Sequence, residues 1–122
     1  MSRVNLEDNK AYGLRLCNQV RGEIMRVVPA DNFVLDPDAP FYIIMDPAGA
    51  VDILMPASDS TTEGLMFLIS NASANAITFK TSGDAAFTSA IVLAGQETSL
   101  LVCTGHATAA LGWRAIGTAL AA

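Results

Sequence analysis

Positive charge is scarce in this chain. Seven of its 122 residues are Lys or Arg against twelve Asp or Glu, a formal net charge of −5. Neutralising a nucleic-acid backbone requires clustered cations. The densest group here, Arg15, Arg21 and Arg26, is offset by Glu23, so nucleic acid is not an expected partner. Long apolar runs are missing too. "FYIIM" and "GLMFLI" have the length of strands, well short of the ~20 residues a membrane helix needs. No basic start followed by an apolar block marks a secretory signal. Membrane association is therefore not expected. Cysteine is limited to Cys17 and Cys103. Two distant thiols make no disulfide framework and suit a reducing compartment.

The side chains of catalysis are equally sparse. The only His, His106, lies three residues after Cys103 in "LVCTGHATAALGWRAIG", residues 100–116. A zinc site takes three or four protein ligands at recognisable spacings, and this pair supplies two. A Cys–His nucleophile also needs an orienting third group and an oxyanion hole. Neither follows from one Gly at 105. No GxSxG or phosphate loop occurs. Asp36 and Asp38 sit on a Pro-bounded loop and read as solvated. The "NAS" at Asn71 matches a glycosylation sequon, but without a secretory signal it reads as a turn. The expectation is a protein that is not an enzyme, with no metal and no cofactor. Cys103 is then a small buried hydrophobe at a strand end, and His106 a solvated tip residue.

What is abundant is apolar side chain. Hydrophobic residues make up 52% of the chain and its mean hydropathy is +0.40. Ordinary usage is about 45–50% even with Gly counted. So few charges on so apolar a chain imply surface buried twice, in a core and against neighbours. Oligomerisation or docking on a larger assembly is the first functional expectation.

The apolar residues alternate with period two. "EIMRVV" stops at Pro29, and "ADNFVLDPDAP" is closed to helix by Pro37 and Pro40. "FYIIMD" reads as a strand. "DPAG" then suggests a hairpin, with Pro47 at the second turn position and Gly49 where positive φ is needed. In the return strand "AVDILMP", Val51, Ile53 and Met55 alternate with Asp52 and Leu54. "GLMFLISN" places Leu65, Phe67 and Ile69 on one face and Met66 and Leu68 on the other. A strand apolar on both sides is central in a sandwich or lies at an interface. "AITFKT" follows, then "SGDAAFTS" as a loop, then the strands "AIVLAG" and "ETSLLVCTG". A last strand runs from about Leu111 to Ile116, and "TALAA" is too short for a stable helix. No fixed repeat period stands out.

Seven to nine short strands with frequent turn signals predict an all-β fold, an antiparallel β-sandwich or barrel of jelly-roll or β-tulip type. It spans residues 23–122. Residues 1–22 hold many of the charges and read as an extended N-terminal arm with at most one short strand, either a frayed terminus or a segment that adds a strand to a neighbour's sheet. Leu6, Tyr12, Leu14 and Leu16 are its candidate assembly contacts. Phe67, Ile69, Phe79 and Trp113 are the candidate core anchors.

The stretch from Ile53 to Trp113 resembles a β-module of tailed-bacteriophage virion proteins. The matching pieces are "DILMPA", "GLMFLISNASANAITFK" and "AIVLAGQETSLLVCTGHATAALGWRAI". In that module an apolar strand ends in Pro, a Gly-led strand ends in an Asn-x-Ser turn, and a Gly…Trp hairpin closes the unit. Here "HATAALG" lengthens that final turn. The resemblance is greatest to capsid decoration (cement) proteins. It implies a structural subunit that binds the outside of a phage head, bridges capsomers and stabilises the shell. The implied partners are further copies of itself, as a homotrimer, and the phage major capsid protein. Its implied location is the virion surface, after assembly in the host cytoplasm. A short chain that reads as complete, the lack of coiled-coil heptads and the N-terminal segment favour this over a head-fibre or tail-fibre module binding host glycan.

Overall fold

The computed structural model describes residues 23–120, with side chains to 117. Residues 1–22, and with them Leu6, Tyr12, Leu14 and Leu16, lie outside the described residues. The described residues form nine strands: β1 (Ile24–Val27), β2 (Phe33–Val34), β3 (Tyr42–Met45), β4 (Val51–Leu54), β5 (Met66–Asn71), β6 (Ile77–Lys80), β7 (Ala86–Leu93), β8 (Glu97–Cys103) and β9 (Trp113–Leu120). Among the described residues there is no α-helix, only a single 3₁₀ turn at Ala109–Leu111.

The strands make two facing sheets, one of five strands in the order β1-β3-β5-β8-β9 and one of four in the order β2-β4-β6-β7. The fold is an all-β sandwich and not a closed barrel. Its strand pairing departs from the purely antiparallel expectation. β1, β3 and β5 run parallel in one sheet, and β2, β4 and β6 run parallel in the other. The chain alternates between sheets, so each pair of strands is one coil of a short two-sheet solenoid. Three antiparallel strands then close the C-terminal end: β7 on β6, β8 on β5 and β9 on β8.

This coiling corrects the hairpin expected at "DPAG". β3 and β4 lie in different sheets, and residues 46–50 carry the chain across the sandwich. Gly49 does not adopt positive φ. The crossing is held by its neighbours in the stack. Asp46 N–H donates to Val27 O at 3.0 Å and Val51 N–H to Ala76 O at 3.2 Å, while Asn75 Nδ2 donates to Pro47 O at 2.9 Å. A turn signal marks where a chain bends, but burial of each strand's apolar face decides what it pairs with. The coils also explain the lack of a visible repeat. Ile24 pairs with Tyr42, eighteen positions on, but Tyr42 pairs with Leu68, twenty-six positions on. Coils of unequal length have no single period.

Other departures are local. Phe33–Val34 form a short strand inside the Pro-bounded segment. β7 starts at Ala86, within the stretch expected to be a loop. β9 starts at Trp113, two residues later than expected, and continues to Leu120. β5 is the central strand of its sheet, with Phe67 and Ile69 fully buried and Met66 exposed.

The core lies between the sheets. Ile43, Met45, Ile53, Phe67, Ile69, Ile77, Phe79 and Leu101 are almost solvent-free. They stack in columns set by register, such as Phe33–Ile53–Phe79. Trp113 packs at one end, its ring stacked on Phe67 with centroids 6.0 Å apart and an interplanar angle of 20°. Its indole N–H donates to Pro56 O at 2.9 Å, the partner a buried indole requires.

Candidate assembly surface

Geometry separates Cys103 from His106. Cys103 ends β8 with its thiol buried, and its sulfur lies 3.5 Å from the hydroxyl oxygens of Ser58 and Thr62. The exposed His106 turns elsewhere, and its Nδ1 accepts the Thr108 N–H at 2.9 Å. The thiol and imidazole thus have separate partners. No group of three or more His, Cys, Asp or Glu is placed to hold a metal ion among the described residues.

The 104–112 tip is a tied loop. Thr104 N–H donates to Gly112 O at 2.8 Å, Thr104 Oγ1 to Leu111 O at 2.8 Å and Ser58 Oγ to His106 O at 3.0 Å. Beside it, in the 57–63 loop, the Asp59 carboxylate is held below the usual aspartate range by the Thr61 hydroxyl and amide. Gly112 is needed for space, since its φ of −79° is ordinary. A Cβ there would collide with Ser58 Cβ and crowd the Ala109 carbonyl. Gly112→Ala is expected to cost about 1–3 kcal/mol by overpacking, read as a lowered denaturant midpoint. A midpoint within error of the parent would show that the tip gives way freely.

The surface that stands out is the outer face of the five-stranded sheet. Register places Ile24, Tyr42, Leu68, Leu100 and Ile116 in one row across all five strands. Ile44, Met66 and Val102 flank it. Ile24, Met66 and Ile116, on β1, β5 and β9, are 45%, 45% and 59% exposed, high for large apolar side chains on one sheet face. The polar groups on this face are mostly hydroxyls bonded to one another. Tyr42 Oη lies 3.1 Å from Ser70 Oγ, and Ser70 Oγ 2.8 Å from Thr98 Oγ1. Arg26 and Arg114 lie on the two edge strands. The opposite sheet is different. Its outer face carries Asp52, Thr78 and Lys80, with Lys80 Nζ 3.2 Å from Asp52 and 3.9 Å from Asp84. Thr78 stands between Asp52 and Val92 in the same row. The outer face of the four-stranded sheet mixes these with Val34, Leu54 and Val92, whereas the five-stranded sheet carries one unbroken row without charge, its two Arg lying on the edge strands.

Of the residues singled out from sequence, Phe67, Ile69, Phe79 and Trp113 all lie in the core. The outer row was legible only at β5, where Met66 and Leu68 were seen to be apolar opposite Phe67 and Ile69. Asn71, read from the sequence as part of a turn, has a larger role. Asn71 is 2% exposed and binds five groups. Its Nδ2 donates to Asn75 O at 2.6 Å and to Leu93 O and Ala94 O at 3.2 Å. Its Oδ1 accepts from Ser73 N–H at 3.0 Å and Ser73 Oγ at 2.8 Å. The side chain that begins the sequon is therefore internal structure, joining the β5–β6 crossing to the end of β7.

The fold thus defines a class: a two-sheet coiled β-sandwich with one unpartnered apolar face. No protein-family model, no curated protein and no solved structure matches the chain.

Proposed function

We propose that the chain is a structural assembly subunit, a phage capsid decoration protein that self-associates as a homotrimer and docks on the outside of a head. The observation that carries this reading is the apolar outer face of the five-stranded sheet. An uncharged row five strands wide, about 20 Å across at ~4.8 Å per strand, suits burial against a sister subunit. Charge on this face is confined to Arg26 and Arg114 on the two edge strands. In the assembly this face turns toward the neighbouring copies, and the acidic remainder of the body faces solvent and shell. The Ile53–Trp113 resemblance supplies the phage context. Such a protein works through buried area: it bridges capsomers and raises the cost of their separation. Preference for the expanded shell is a difference in affinity between two shell states.

The test is sedimentation of the full chain, followed by binding to expanded heads. A monomer at high concentration that also fails to bind would end this reading. Leu68→Asp puts a charge at the centre of the row, on the side away from the core. Self-association is expected to weaken at least 30-fold, the scale of a ~2 kcal/mol interface hot spot, with the circular dichroism unchanged. An unchanged sedimentation profile would remove this face from the interface.

The glycan-binding fibre reading has less support. It calls for free aromatics on one face, but Tyr42 is half-buried with its hydroxyl beside Ser70.

A further inference from the structure

A cyclic trimer cannot pair one patch with itself. Its interfaces are heterologous, so a surface on one copy meets a different surface on the next. The apolar row supplies one of the two, and its ends are unlike. It runs from Ile24 on β1 to Ile116 on β9, the two edge strands of the five-stranded sheet among the described residues.

At the β1 end lies a groove of about 250 Å³ lined by Met25, Phe33, Val34, Ala39, Asp36 and Asp38. Met25, Phe33 and Ala39 pack on the core yet stay half-buried, and Val34 is exposed. The two carboxylates stand on a tight turn. Asp36 Oδ1 accepts the Asp38 N–H at 2.8 Å, and Asp36 O accepts the Ala39 N–H at 3.0 Å. Both acids are exposed, and neither has an ion-pair partner among the described residues. An apolar recess walled by two carboxylates suits an apolar side chain with a cation close beside it.

The β9 edge carries that pair of side chains. Residues 23–117 hold three cations against ten acids. Lys80 is engaged by Asp52 and Asp84. Arg26 lies on β1, the strand that gives Met25 to the groove itself. Arg114 is the third. It is exposed on β9, has no ion pair among the described residues, and shares the outer face with Ile116, two positions and about 7 Å along the strand. We propose that the β9 edge of one copy docks in the β1–β2 groove of the next, with Ile116 in the recess and Arg114 against Asp36 and Asp38. This contact presupposes the self-association proposed above. An acidic body resists self-association, and here one of its few cations is set against two of its acids. Repeated in one rotational sense, the contact closes a ring in which every β9 edge and every groove is covered.

Isotope-filtered nuclear magnetic resonance tests it on the full wild-type chain, mixed from labelled and unlabelled protein. Overhauser contacts between chains are expected from the Ile116 methyls to Met25 and Phe33. Contacts from Ile116 to Leu68 or Leu100 of another copy would show two rows packed face to face. They would overturn the head-to-tail contact and leave self-association standing, as would an associating chain with no contact between Ile116 and the groove. A chain that sediments as a monomer removes the assembly reading, and this contact with it. Charge reversal gives a second measurement. Arg114→Asp alone, and Asp36→Arg/Asp38→Arg alone, should each weaken association about ten-fold or more, the scale of a close interfacial charge pair. The three substitutions together should restore it to within about three-fold, because the pair is re-formed with its signs exchanged. Equal association in all four proteins, or no recovery in the triple variant, counts against the pairing. If a variant unfolds, the wild-type contacts still decide.

Discussion

Trp113→Ala is expected to lower the unfolding free energy by about 3–5 kcal/mol, the range for removing a large buried aromatic. Three losses combine. The indole leaves a void beneath the 57–63 loop and the 104–112 tip. Phe67 loses the ring stacked 6.0 Å from it. Pro56 O loses its indole donor. At roughly 4–8 °C per kcal/mol for a domain near 100 residues, the melting temperature should fall by about 12–40 °C. Trp113→Phe separates the contributions. It keeps most of the apolar volume and loses the hydrogen bond, so its cost should be nearer 1–2 kcal/mol. Denaturant titration with an unchanged slope would show that the native state is weakened and the unfolded state unaltered. A Trp113→Ala protein melting within a few degrees of the parent would mean that this end of the sandwich is not part of the cooperative core.

Asn71 should be the most sensitive polar position. Asn71→Ala strips partners from Ser73 N–H and from the carbonyls of Asn75, Leu93 and Ala94 at a nearly solvent-free site. Leaving such groups unpaired costs about 1–3 kcal/mol each where water cannot enter, and partial hydration brings the expected total to about 3 kcal/mol. Asn71→Asp is nearly isosteric and should be worse at neutral pH. It replaces a donor with a charged acceptor facing three carbonyl oxygens, and an uncompensated buried charge costs about 3–5 kcal/mol. Burial raises the carboxyl's folded pKa above its unfolded value, so the folded state binds the extra proton. Stability of this variant should therefore rise as pH falls from 7 toward 4. If Asn71→Asp matched the parent at pH 7, the hydrogen-bond cluster would not be what secures the β5–β6 crossing.

The sequence was most informative where burial is settled locally. Period-two alternation in "AVDILMP" and "AITFK" identified strands and inward residues, because a strand buried on one face writes that burial in every second position. Phe67, Ile69, Phe79 and Trp113 could be chosen as anchors for the same reason. The apolar Met66 and Leu68 on the far side of β5 pointed to a central strand, which β5 is. The row itself needed register. Ile24, Tyr42, Leu68, Leu100 and Ile116 are spread over 93 positions, and only the pairing of five strands brings them into line.

"DPAG" shows the opposite limit. Its composition forces a bend but holds no information on whether the following strand returns beside β3 or crosses to the other sheet. That choice depends on the stack of Val27, Met45 and Asn71 below and Ile53 and Phe79 across the core, residues remote in sequence. Asn71 was hidden for a related reason. An Asn in "NASAN" has the look of any surface turn, and its partners at Leu93 and Ala94 are brought to it by the return of β7. Composition and alternation were thus enough to establish an all-β chain with more apolar surface than one core can hold, because both are sums over local side-chain chemistry. The parallel coiling, the separation of an apolar face from an ion-paired one, and the parting of Cys103 from His106 follow from long-range strand pairing, whose energy is shared among residues that no short stretch of the chain contains.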